Sequence, residues 1–431
     1  MHSPKRRIAL YSHDTQGLGH IRRNLAIAQA LIEADPDTVI LMVAGAREAN
    51  AFVLPPGVDC LTLPALSKNG NGRYGPRSLR VSLKGLIALR SNIIRAALES
   101  FKPDVLLVDK VPVGAFGELR ESLEYLRNRG RTRCVLGLRE ILDDPDTVRQ
   151  EWHLAGNEAA IRAYYDAVWV YGDPRVYDPV REYQLSGAVA AKVRYTGYLD
   201  RYSRSDLHPA GGLDSLAGLD LPPGRLALCL VGGGQDGYRL ADAFLGADLP
   251  PGANGLVVTG PFMPSEARQA LQDRIADQPR RRLLEFVGEP EHLLRMADSV
   301  IAMGGYNTIC ELLSLEKRAL IVPRVTPRQE QLIRAERLRD LELLDMLHPA
   351  DLSSQALTAW LAGNASKGVK VQDRIDLHGL VRLPALLDEV LARSRHGSSR
   401  WLWQPESKSP SLFSLELVTS VPPKEVKYVI H

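Results

Sequence analysis

The sequence predicts an α/β protein of two Rossmann-like, doubly wound halves that face each other across a cleft. Continuous apolar runs alternate with helical patterns along most of the chain, the signature of parallel strands covered on both faces. The series lapses once, over residues 201–224, where Ser, Gly, Pro and Asp dominate, and then resumes. A length of 431 residues suits two domains. The expected division is a first domain over 1–200, a linker over 201–224, a second domain over 225–395 and a disordered tail over 396–431.

In chain order, the first series of strands is expected at residues 8–12, 38–44, 58–63, 104–109, 134–138 and 167–171. A helical pattern through Ile21, Leu25, Ala28 and Leu31 follows the first strand. Residues 77–102 read as a long amphipathic helix with an apolar stripe that includes Leu79, Leu83, Leu86 and Leu98. Its charges are mostly basic, including Arg77, Arg80, Lys84, Arg90 and Arg95, so it suits either a solvated sheet-covering helix or contact with an anionic membrane surface. The stretch 67–75 before it reads as a mobile loop over the cleft. The second series is expected at 226–231, 255–259, 283–287, 299–302 and 319–322, with a last amphipathic helix over 376–393.

Composition narrows the function classes. The 54 basic and 51 acidic residues leave a net charge of +3, too little to make nucleic acid the main partner. Cys60, Cys134, Cys229 and Cys310 are scattered, without metal-ligand spacing, and read as buried thiols of a reducing compartment. No apolar run approaches a membrane span, and no signal segment is apparent, so a cytoplasmic protein is expected, or one peripheral to the inner membrane face. Asp35-Pro-Asp37 and Asp144-Pro-Asp146 are turns, and no metal is expected. A Gly-x-Ser-x-Gly elbow is missing, as is a Gly-Lys-Ser/Thr phosphate loop. No cofactor is called for.

Four motifs stand at strand ends, where a parallel sheet opens on its cleft. Gly304-Gly-Tyr-Asn-Thr-Ile-Cys-Glu311 follows an apolar run, with Asn307 placed as the cap of the next helix. Glycines admit an anion close to backbone N–H groups, and a helix N-terminus adds partial positive charge, so Gly304, Gly305, Asn307 and Thr308 suit a diphosphate. Glu311 lies about 6 Å further along the helix axis, where it can accept bonds from ribose hydroxyls. The same residues also fit an ordinary strand-to-helix turn. Gly232-Gly-Gly-Gln-Asp-Gly237 offers a second cradle through Gly233, Gly234 and Gln235. In the first half, Gly17-Leu-Gly19 leads to His20, whose imidazole can take a proton from a hydroxyl or can simply cap the helix. Arg22 and Arg23 follow within reach of an acceptor phosphate, and Asp109, beside Lys110, can assist His20 or cap a turn. Glu118 and Arg139 are weaker candidates on the same grounds.

From residue 226 to 338 the chain resembles the nucleotide-sugar domain of GT-B glycosyltransferases, the MurG-like enzymes most of all. The resemblance rests on five stretches in order: 232–237, Glu285-Phe-Val-Gly288, 296–301, 304–311, and Ile321-Val-Pro-Arg324 with Gln329-Glu-Gln331. It departs at 316–319, where relatives show a Gly-x-Pro turn. The resemblance implies that Phe286 and Val287 flank the base, that the Gly304 turn meets the diphosphate, and that Glu311 holds the ribose. It implies too that Glu330 and Gln331 face the donor sugar. The first half is similar to the matching acceptor domain, with Gly17, Gly19, Arg22 and Arg23 on the acceptor side. The function implied is inverting, metal-independent transfer of a hexose from a UDP-sugar to a small-molecule, glycan or lipid-linked hydroxyl, with His20 as base and Asp109 its partner. A nucleotide-sugar 2-epimerase of the same fold and a non-catalytic nucleotide-sugar binder are the alternatives.

Overall fold

The protein's structure, a computed structural model, describes residues 5–13, 19–45, 52–68, 74–201, 219, 221–287, 290–363, 370–371 and 373–392. Two parallel sheets organise them. The first contains β1 (Arg6–Ser12), β2 (Thr38–Ala44) and β3 (Val58–Thr62). A small antiparallel hairpin follows, β4 (Leu66–Lys68) with β5 (Tyr74–Pro76). The sheet resumes with β6 (Val105–Asp109), β7 (Arg133–Arg139), β8 (Ala167–Tyr171) and β9 (Val193–Tyr195), in the order β3-β2-β1-β6-β7-β8-β9. The second sheet comprises β10 (Leu226–Leu230), β11 (Asn254–Val258), β12 (Arg281–Leu284), β13 (Ser299–Ala302), β14 (Ala319–Ile321) and β15 (Asp345–Met346). Its order is β12-β11-β10-β13-β14-β15.

Apolar runs become central strands because both faces are covered. Successive side chains point to opposite faces, so Ile8 and Leu10 of β1 enter one core while Ala9 and Tyr11 enter another. In β10, Leu226, Leu228 and Leu230 share the first of these cores, and Ala227 and Cys229 face a third. The core common to both sheets runs through Tyr198, Tyr306 and Leu380.

Several expectations need correcting. The long basic helix spans Leu83–Phe101, not 77–102, because the Ser82 side chain caps it by accepting from the Gly85 amide. Its Arg90 is not a surface charge but fully buried, donating to Glu118 at 2.5 and 2.8 Å and to the Pro64 carbonyl at 2.7 Å. Glu118 also accepts from the Tyr11 hydroxyl, so it anchors the core and is not a cleft residue. Part of the stretch read as a mobile loop is the β4–β5 hairpin, while 69–73 lie outside the described residues, as do 202–218, 220 and the tail expected over 396–431. The final helix, Gly379–Ala392, packs back on the first half. Arg382 donates to the Thr196 carbonyl, Glu389 meets Arg194 at 3.1 Å, and Asp388 meets Arg6 at 2.7 Å.

Candidate active site

Open α/β sheets hold ligands where the strand order reverses. That seam lies between β1 and β6 in the first sheet and between β10 and β13 in the second. The two glycine turns, His20 and Asp109 each follow or end one of these four strands. β1 leads towards the Gly19–Ala34 helix with His20, and β6 ends on Asp109. β10 runs into Gly232–Gly237, and β13 into Gly304 and Gly305.

In the first half His20 Nδ1 lies 2.6 Å from Asp109 Oδ2. A carboxylate only accepts, so the contact with Asp109 calls for a proton on Nδ1, and in the neutral ring Nε2 then keeps its lone pair. Arg23 is buried beside them, with Nη2 2.5 Å from the same carboxylate oxygen and 2.8 Å from Nδ1. Burial opposes the charge on Asp109, but Arg23 and His20 outweigh it and hold the carboxyl well below its usual range. His13 packs against His20 with ring centroids 5.2 Å apart. Burial, then His20 and Lys110, push His13 well below the ordinary imidazole range. Gly17 lies outside the described residues.

The second half meets this cluster directly. Asn307 Nδ2 donates to the Gly19 carbonyl at 3.0 Å, and Arg22 reaches Glu311 Oε1 at 2.9 Å. Asn307 is therefore not the helix cap expected. The helix spans Tyr306–Ser314, and Gly305 in extended backbone occupies the cap position without a side-chain bond. Asn307 falls on the first turn, and its amide is spent on the opposite half. Glu311 is 4% exposed, yet its partner comes from across the cleft, so it faces the gap. Between them lies a cavity of about 20 Å³ lined by Arg22, Leu199, Tyr306, Asn307 and Glu311.

Glycine is required in one turn and closely packed in the other. Gly234 has φ +90° and a Cβ there would lie 2.0 Å from the Thr259 carbonyl. At Gly304 a Cβ would press on Gln331 and Ile321 at 3.2–3.3 Å. Gly233 and Gln235 are exposed, Thr308 is half-buried, Phe286 is 45% exposed and Val287 packs against the common core.

Glu330 and Gln331 open the Glu330–Asp340 helix and are both buried. Glu330 pairs with Arg139 of the first half, and Gln331 Oε1 accepts the Arg324 amide at 3.0 Å. Burial opposes ionisation of Glu330, but Arg139, Lys110 and Arg334 lower it to about 2. Sequence reading missed the strongest tie between the halves. Arg334 donates to Glu140 at 2.6 and 3.2 Å and to the Gly304 carbonyl at 3.1 Å, with both side chains wholly buried. It also missed Arg328, which meets Asp143 at 2.8 Å. Their only signal was position: Glu140 and Asp143 follow a strand end.

Among the described residues no group of three or more His, Cys, Asp or Glu is placed to hold a metal, and no helix is long and apolar enough to cross a membrane.

No family model matches the chain. Over 88 residues it is 34% identical to the UDP-N-acetylglucosamine--N-acetylmuramyl-(pentapeptide) pyrophosphoryl-undecaprenol N-acetylglucosamine transferase of Geobacillus kaustophilus, a match spanning 20% of this chain and 25% of that relative's length. Among solved structures, MurG of Acinetobacter baumannii matches with a TM-score of 0.55 and 14% identity, over 89% of this chain and 99% of that one. A Listeria monocytogenes protein assigned as a UDP-N-acetylglucosamine 2-epimerase matches with a TM-score of 0.61 and 13% identity, over 89% and 96%. These likenesses extend over both sheets, and by them the chain has the GT-B fold of the MurG-type glycosyltransferases, a fold shared with the epimerase.

Proposed function

We propose that this chain is a glycosyltransferase that moves a hexose from a UDP-sugar to an acceptor hydroxyl with inversion. The observation that carries the reading is the His20–Asp109 pair, held against the Gly304 turn by the Asn307–Gly19 bond. A base and an anion cradle from opposite halves thus share one gap. The acceptor oxygen attacks the anomeric carbon as the bond to the diphosphate breaks, and the diphosphate leaves with the electron pair. His20 Nε2 takes the acceptor proton, and Asp109, kept ionised by Arg23, steadies the resulting imidazolium. Backbone amides of the two glycine turns and the helix N-terminus at Tyr306 face the leaving charge. Glu311 takes the ribose and Glu330 with Gln331 the sugar.

Contact with a membrane surface is the finer part of the proposal. Around the hairpin, Tyr74, Leu79, Val81, Leu89 and Phe116 are all exposed, and Tyr74 and Phe116 meet edge to face at 5.3 Å. Arg77, Arg80 and Lys84, also exposed, are close to Leu79 and Val81 in the chain. Exposed apolar side chains interspersed in the chain with cations suit an anionic bilayer interface and hence a lipid-borne acceptor. Sedimentation with anionic and with neutral vesicles tests this, and equal partition to both defeats it.

The central test is thermal stabilisation by UDP and UDP-sugars, on wild type and on Glu311→Ala. Wild type is stabilised and Glu311→Ala much less. His20→Ala keeps donor binding and loses transfer. Donor-only incubation that yields a new sugar isomer favours the epimerase reading instead. If no UDP compound stabilises the protein, the proposal fails.

A further inference from the structure

Lys110 is a charge in the cleft that the mechanism above leaves unused. It follows Asp109 at the end of β6 and turns into left-handed backbone, φ 70°, which side chains other than glycine adopt at a cost of about 1 kcal/mol. Its amide is spent on the Gly137 carbonyl at 2.8 Å. Its ammonium has no hydrogen-bond or ion-pair partner among the described residues, and it remains half-buried. The groups that act on it are Arg139, Glu330, Arg328 and Asp109, and it acts in turn on His13.

The two carboxylates that act on it, Asp109 and Glu330, bond to other cations. Asp109 serves His20 and Arg23 through Oδ2, while its buried Oδ1 has no hydrogen-bond partner and makes none with Lys110. Glu330 serves Arg139 and Arg324. Asp143 and Glu151 serve Arg328, and Glu140 serves Arg334. His13 adds no negative charge. Burial and the neighbouring arginines lower Lys110 to about 8, so it is still mostly positive at neutral pH. Lys110 is thus a half-buried ammonium that no carboxylate bonds and that two arginines crowd, which places it to take an anion brought by a ligand.

We infer that Lys110 binds a carboxylate or phosphate carried by the acceptor, close to the hydroxyl that His20 deprotonates. This rests on the proposed transfer reaction, and it deepens that reading by giving the acceptor a charge. The residue next in chain to Lys110 holds the base, so an anion on Lys110 sits on the acceptor side of the gap. The donor's own diphosphate has its cradle on the other half.

The test uses the full chain with lysines dimethylated by isotope-labelled formaldehyde, followed by NMR, with Lys110→Met to assign the signal. Lys192 is the internal control, since its Nζ donates to the carbonyls of Ile161, Arg162 and Tyr165. Inorganic phosphate is titrated with UDP-glucose saturating. A saturable shift at Lys110, absent at Lys192 and absent on adding UDP-glucose alone, is expected. Movement on UDP-glucose alone makes Lys110 a donor contact and overturns the inference. So does movement with UDP-glucuronate but not with phosphate, which assigns the anion to the donor sugar. No movement with any of these also overturns it. As a check free of methylation, phosphate stabilisation of the unmodified protein against heat is expected to vanish in Lys110→Met. The phosphate arm is repeated without nucleotide. If UDP-glucose fails to bind while phosphate still moves Lys110, the transferase reading falls and the anion site stands.

Discussion

Replacing Arg334 by Met tests whether the two halves are held as described. The guanidinium makes two bonds to Glu140 and one to the Gly304 carbonyl, and neither partner of the ion pair touches water. Burial alone would lower the arginine's proton affinity, but Glu140 outweighs it and raises it. Arg334→Met leaves a buried carboxylate whose remaining donor is the Tyr198 hydroxyl at 3.2 Å. Breaking one side of such a pair costs about 3–5 kcal/mol. At roughly 2 °C per kcal/mol for a long chain, the melting temperature falls by about 6–10 °C. Glu140→Leu combined with Arg334→Met removes the stranded charge along with its partner. That double variant is expected to lie well above the sum of the single losses, with a coupling of about 2 kcal/mol or more. Calorimetry on the four proteins of the cycle gives the result. Additive losses, or a fall of under about 1 kcal/mol in Arg334→Met, would refute the reasoning.

Three further outcomes follow from the geometry. Glu330 has its carboxyl lowered to about 2, so its pair with Arg139 contributes stability above the ordinary carboxylate value and loses it as pH falls through about 4.5 towards 2; the stability gap between wild type and Glu330→Gln should therefore be full near neutrality and close across that window, and a gap that stays constant rejects the assignment. Glu118→Ala strands fully buried Arg90 and should cost about 3–5 kcal/mol by denaturant titration, while the KM for donor in the folded fraction stays unchanged. Gly234→Ala forces a Cβ to 2.0 Å from a carbonyl, so UDP stabilisation should drop more than for Gly232→Ala, which shares the positive φ but whose Cβ meets open space.

The strands were legible because each central one is a continuous apolar run, and burial on two faces leaves no other pattern. β4, β5, β9 and β15 were not, since two or three residues carry no period to detect and these, unlike three-residue β14, are not continuous apolar runs. Arg90 shows a different limit. Periodicity assigns a charged residue to a solvated face, and only the fold reveals a carboxylate from residue 118 waiting beneath it. The glycine turns, His20, Asp109 and Glu311 could be found because each follows an apolar run, and strand ends open on the cleft. Their partners could not. Arg22 and Glu311 are 289 residues apart, Arg334 and Glu140 are 194, and Arg139 and Glu330 are 191. No local pattern joins such pairs.

Those distant pairs also explain why the residues read as ligand-holding touch one another. Most of the buried charges along the cleft pair across it, since an unpaired charge is costly where water is largely excluded. Glu311, at 4% exposure, must have a cation, and Arg22 supplies it. The cavity at that contact, about 20 Å³, holds about one water and no nucleotide. Donor entry on the proposed reading is therefore an exchange of partners. The ribose hydroxyls replace Arg22 on the carboxylate, and the released guanidinium stands within a side chain's length of the place where the diphosphate must lie. The hydroxyls rebond Glu311 as Arg22 leaves, so the buried carboxylate is never stranded, whereas nothing replaces Arg334 on Glu140 and that pair is too costly to open. Movement on binding should accordingly centre on Arg22 and its helix turn, with the Gly304 turn held fixed from behind by Arg334.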